Sequence, residues 1–137
     1  MHYLYKIMAL SLFLFTIHLS AQTQSDYTLE SNQVSVFEKS ESLTSTLTKT
    51  GNTLKWVQNI NGTSNTIAYA IDQITGNWDA NTSQGSLTYT LIKEGFTTIT
   101  FNLTGAESGA LEATLSVQVG DTPALQYSFN ITNITYP

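Results

Sequence analysis

The chain has 137 residues, with five basic side chains against ten acidic ones, a net charge of −5 and no cysteine. The missing cysteines exclude disulfide staples, thiolate nucleophiles and cysteine-based metal sites. An acidic chain without a single arginine has no electrostatic footprint for nucleic acid or for an anionic membrane surface.

At the N-terminus, Lys6 precedes an uncharged apolar run from Ile7 to Ile17, followed by Leu19-Ser20-Ala21-Gln22. This is the layout of a secretory signal peptide over residues 1–21, with cleavage before Gln22. The apolar run is shorter than the ~20 residues a membrane-spanning helix needs, so no membrane insertion is expected after cleavage. No cysteine stands at the cut to carry a lipid. The expected product is one exported domain over residues 22–137, secreted or periplasmic. Both histidines, His2 and His18, fall in the signal, so the Ser-His-Asp and Cys-His constellations cannot be built from the rest.

Beyond the signal, period-2 alternation dominates, and no helical period is sustained. Tyr27 and Leu29 share a face, but Val34 and Val36 take the opposite phase. Segments 43–49 and 53–60 flank the hairpin signal Thr50-Gly51-Asn52, the second with Leu54, Trp56 and Ile60 in phase. Segment 65–74 carries Ile67, Tyr69 and Ile71. Leu87, Tyr89 and Leu91 alternate before the turn Lys93-Glu94-Gly95-Phe96, and Ile99, Phe101 and Leu103 alternate after it. Ala113, Leu115, Val117 and Val119 follow, and beyond Gly120-Asp121-Thr122-Pro123 come Leu125, Tyr127, Phe129 and Ile131. The last segment, like the first, changes phase, between Ile131 and Ile134. Each switch marks a β-bulge or a strand passing from one sheet to another.

About eight strands, each with one polar and one apolar face, predict an all-β antiparallel fold. Turns every 8–12 residues fit a β-sandwich, immunoglobulin-like or similar, or a small closed β-barrel. The phase switches and the longer connections at 61–65, 75–85 and 104–110 favour the sandwich, with the barrel as the alternative.

Chemistry has few carriers here. A carboxylate pair is the remaining catalytic option, and Asp72, Asp79, Glu107 and Glu112 are the acids beside long connections. Ten acids on a surface produce such neighbours by chance, so a carboxylate-based hydrolase ranks last and the chain is read as no enzyme. The segment GNWDANTSQG, residues 76–85, is the candidate ligand site: Trp78 stands among Asn77, Asp79 and Asn81. Oxygen side chains at 77, 79, 81 and 83 alternate as in a calcium loop, but one carboxylate is too little charge to hold the ion; Asx-type turns with Trp78 as an apolar lid are the simpler reading. No metal and no cofactor is expected. Threonines alternating over 44–50, 88–90 and 98–104 form a polar array if their strands lie in register, able to order water. High strand propensity explains them more simply. Five N-x-[ST] sequons, at Asn61, Asn81, Asn102, Asn130 and Asn133, are acceptors only where exported proteins are glycosylated.

These features predict an exported, non-catalytic binding or interaction module for a glycan or protein surface. The alternative is a lipocalin-like carrier of small apolar ligands. A monomer or a dimer paired through sheet edges is expected.

Overall fold

The computed structural model describes residues 25–137; the export signal read at residues 1–21 lies outside them. Nine strands follow in order: β1 (Tyr27–Val36), β2 (Lys39–Glu41), β3 (Thr44–Thr50), β4 (Thr53–Ile60), β5 (Thr63–Asp79), β6 (Gln84–Ile92), β7 (Thr98–Gly105), β8 (Leu111–Gln118) and β9 (Leu125–Thr135). They form one antiparallel sheet in the order β2-β1-β3-β4-β5-β6-β7-β8-β9, and β9 pairs back onto β1. The fold is therefore all-β and closed: an eight-stranded barrel with the short β2 added beside the second half of β1. Of the two closures considered, the barrel is realised and the sandwich is not.

The reason lies in the phase switches. Both are bulges, and they face each other. Glu30 pairs with Asn133, Ser31 with Ile131 and Gln33 with Asn130, so Asn32 on β1 and Thr132 on β9 are each left out of the ladder. Each strand thus keeps an apolar side inward on both sides of its bulge: Tyr27, Leu29 and Val34 on β1, Phe129 on β9. Every other strand pairs with its neighbour in sequence, which needs no crossing between sheets. A third switch, at Asp72, is a bulge against β6 between Ile71 and Gln73.

Partners followed around the ring run from Tyr27 to Lys49, Leu54 and Tyr69, which lies beyond the reach of β6, so the path does not come back to Tyr27. This offset is the stagger that tilts the strands of a closed barrel. It makes β5 overhang at both ends: Thr63–Ala70 pairs with β4, and Ala70–Asp79 with β6. The expected connection at 75–85 is consequently a hairpin that continues β5 and β6, and the expected connection at 61–65 is the two-residue turn Asn61-Gly62. Asn61 and Gly62 both have positive φ, as a type I′ turn requires.

The interior is filled by side chains from every barrel strand. Leu29, Leu47, Leu54, Leu87, Tyr89, Ile99, Phe101, Leu103 and Leu115 are buried almost completely, each contributing about 1.5–3 kcal/mol for its aliphatic or aromatic body. Trp56 joins them as its alternation predicts, edge-on to Tyr127 at 5.2 Å and Phe129 at 5.0 Å. Ile60 and Val119, expected inward by phase, are exposed instead, because Ile60 ends the overhanging hairpin and β8 stops at Gln118.

Candidate functional site

The two ends of the barrel differ. The end holding Tyr27, the C-terminus and the β3–β4, β5–β6 and β7–β8 connections is the lower end; the other five connections form the upper end.

Segment 76–85 covers the lower end. Gly76 and Gly85 lie on opposite strands of the β5–β6 hairpin at φ +100° and +128°, and a Cβ on either would meet backbone oxygen of the facing strand, Ser86 at 2.0 Å and Asn77 at 2.1 Å. These glycines let the hairpin bend and bring Trp78 over Gly105, whose own Cβ would lie 2.8 Å from the indole. Trp78 Nε1 donates to the Tyr136 hydroxyl at 3.0 Å, and Ser83 Oγ lies 2.8 Å from the same hydroxyl. Trp78 is half-buried and packs against the core cluster. Asn77, Asp79 and Asn81 point to solvent. The Asn81 amide donates to Asp79 Oδ1 at 2.9 Å, an Asx turn. The hairpin therefore gathers Trp78 with Ser83 and Tyr136, and leaves Asn77, Asp79 and Asn81 outside that contact. Among the described residues no group of three or more His, Cys, Asp or Glu converges as a metal site.

Above this lid runs a polar line through the core. The hydroxyls of Tyr27 and Tyr89 meet at 2.7 Å. Burial pushes Tyr27 far above the usual phenol range, with Tyr89 beside it adding to the shift. Burial likewise pushes Tyr89 up to about 12, partly offset by the hydrogen bond from Tyr27. Tyr69, also buried, is pushed up to about 12. At the lower rim the buried Lys49 donates to Asp26 Oδ1 at 3.0 Å, and the Gly51 amide donates to the same oxygen at 3.0 Å. The Lys49 hydrogen bond, then that of Gly51, holds the Asp26 carboxyl below its ordinary range. This pair borders an open groove of about 320 Å3 shared with Thr48, Thr135 and Tyr136.

The upper end carries the apolar surface. Among the described residues five large hydrophobics are exposed, Phe37, Ile60, Ile92, Phe96 and Val119, and all five belong to upper-end turns or the strand ends beside them. Phe37 is 73% exposed. With Glu38 it forms the turn between Val36 and Lys39, at φ +51° and +64°. Two successive non-glycine residues at positive φ are unusual, since such turns favour Asn-Gly, and the strain marks positions held by something other than local preference. Nothing in the alternation singles out Phe37; a phenylalanine followed by the charged pair Glu38-Lys39 in a Gly-free turn is its only trace in the sequence.

The remaining candidates lie apart. Asp72, Asp79, Glu107 and Glu112 are all exposed, the first two seven residues apart on β5, Glu107 in the β7–β8 connection and Glu112 on β8. The threonine array does form in part. Thr90 faces Thr100 and Thr100 faces Ser116, while Thr88 faces Asn102 and Asn102 faces Thr114, giving in-register polar rows on the outside of β6, β7 and β8. Thr88 Oγ1 donates to Asn102 Oδ1 at 2.8 Å within one row. A second open groove, of about 620 Å3, runs beside β8 and β9 between Leu111, Thr114, Ser128, Asn130 and Ser35.

The chain matches no protein-family profile, no curated protein and no solved structure at a significant level.

Proposed function

We propose that this chain is an exported, non-catalytic binding module that engages a glycan or protein surface with the upper end of its barrel. The observation that carries this reading is the distribution of exposed apolar residues: all five are at one end, while the other end is covered by Trp78 and Tyr136. Exposed apolar side chains gathered on one surface are a recurrent sign of an interaction site. Phe37 and Phe96 supply aromatic faces of the kind that stack on sugar rings or enter a pocket on a partner.

A glycan microarray probed with the wild-type chain, a Phe37→Ser/Phe96→Ser variant and a Trp78→Phe variant tests this. Binding lost in the first variant and kept in the second supports the upper end. Binding lost only with Trp78→Phe moves the site to the 76–85 hairpin.

The carrier reading is second. It is favoured by the closed barrel and by the half-buried apolar residues Val36, Leu43, Ile67, Leu125 and Tyr127 around the upper opening. Against it stand Tyr89 and Phe101, ring centroids 5.5 Å apart, and Trp56 against Tyr127, which occupy the space a ligand would need. Stoichiometric uptake of a fatty acid or retinoid would favour the carrier over the surface-binding module.

A further inference from the structure

The overhang of β5 leaves a strand edge open. From Thr63 to Tyr69, β5 pairs with β4 on one side, while β6 reaches only Ala70 on the other. The Ala68 carbonyl faces that open side, where it accepts from Lys93 Nζ at 3.3 Å. The Ile71 amide donates the opposite way, to the Asn52 carbonyl. By strand alternation, Ser64 and Thr66 turn their N–H and C=O the same way as Ala68, toward the open side. Among the described residues no strand lies there.

Native sheets protect open edges with charges, proline, bulges or covering segments. The other free edges of this barrel follow that rule: the second overhang of β5, Gln73–Asp79, starts at the Asp72 bulge and ends in the charged Asp79. The outer edge of β2 carries Lys39 and Glu41 within three residues. The end of β9 runs into Tyr136, held under Trp78 and Ser83, and then Pro137. Along Thr63–Tyr69 the strand itself carries no protection: from Trp56 to Ile71 there is no charged residue and no proline, and Lys93, from the β6–β7 connection, caps only the Ala68 carbonyl. Ile60 at the hairpin tip and Ile92, paired to Ala70, stand exposed at either end of the open stretch.

We propose that this edge pairs antiparallel with the same edge of a second copy of the chain, about a two-fold axis at Thr66. The pairing is self-complementary, as a two-fold interface must be. Thr66 exchanges two hydrogen bonds with its counterpart, and Ser64 and Ala68 each bond the other's equivalent. The partner is a second copy because the stretch is uncharged in a chain that is otherwise strongly acidic: two copies meet here without bringing like charges together. Lys93 releases Ala68 as the pair forms. This inference goes beyond the binding reading above, and its failure would leave the upper-end apolar surface untouched.

The absence of cysteine makes the test clean. In Thr66→Cys the new thiol is the only one after residue 21, and in the paired edge two such thiols face each other at a separation a disulfide can span. Mild oxidation is expected to convert most of this variant to a cross-linked dimer, while Thr104→Cys, exposed on β7 away from the edge, stays free of cross-links at the same concentration. Sedimentation equilibrium is expected to show a dimer for the wild type and at least an about tenfold weaker one for Thr66→Lys. The circular dichroism of all variants should match the wild type, since Thr66 is exposed at an edge. A chain that stays monomeric up to about 1 mM, a dimer indifferent to Thr66→Lys, or cross-linking of Thr66→Cys no faster than of Thr104→Cys would each overturn the proposal.

Discussion

Tyr27 and Tyr89 stand 62 positions apart in sequence and meet hydroxyl to hydroxyl inside the barrel. Their strands are far apart around the ring, so the bond spans the interior and fixes the two walls relative to each other. Removing one hydroxyl leaves the other buried without its partner, which costs about 1–3 kcal/mol, whereas removing both leaves only apolar rings. Chemical denaturation of Tyr27→Phe, Tyr89→Phe and the double variant is therefore expected to be non-additive, the double losing less than the sum of the singles. Strict additivity would mean that the two hydroxyls are not coupled. Trp56 presents a related case. Its alternation with Leu54 foretells its burial, and it is only 3% exposed, yet its Nε1 is buried with no hydrogen-bond partner among the described residues. Periodicity predicts where a side chain goes; it does not predict whether the polar atom on it finds a partner, because that depends on a strand from elsewhere in the chain.

At the scale of elements, the bent hairpin depends on two glycines. Gly76 and Gly85 sit at positive φ with facing backbone oxygen where a Cβ would be, and backbone cannot move aside as a flexible side chain could. Gly76→Ala and Gly85→Ala are each expected to cost more than about 2 kcal/mol and to red-shift the Trp78 emission as the indole leaves Gly105. Gly51→Ala, with open space around its Cβ but also at positive φ, should cost about 1 kcal/mol and leave the emission unchanged. Unaltered fluorescence in both hairpin variants would show that the bend does not depend on these glycines. The same segment marks how far the sequence could be read. Its Asn, Asp and Ser residues give the turn at Asp79–Asn81, and the lid reading of Trp78 follows from its isolation among polar neighbours. The hairpin is longer than expected because six polar residues between two glycines look like a loop, whereas the stagger of a closed sheet carries the pairing through to Asp79 and Gln84. The phase switches in β1 and β9 were visible as single events. Their meaning became clear only as a pair: each change of phase is matched by one in the strand it faces, so both belong to one closing seam and neither is a passage between sheets.

The whole molecule is defined by that seam and by charge. Closure removes most sheet edges, and the β5 overhang leaves the unprotected edge described above. After residue 21 the chain carries ten acidic side chains against four lysines, so two copies repel at any distance within the screening length. That length shrinks from ~30 Å at 0.01 M salt to ~8 Å at 0.15 M. A contact made by Ser64, Thr66 and Ala68 contains no ion pair for salt to weaken, and only the background repulsion responds. Self-association measured by sedimentation is thus expected to tighten as salt rises from 0.01 to 0.5 M, by about threefold to tenfold if a few like charges approach within a Debye length. A dimer held by opposite charges, such as Lys55 or Lys93 against the acids of its partner, would weaken over the same range. The sign of the salt effect therefore separates pairing through the uncharged edge from every interface built on the lysines.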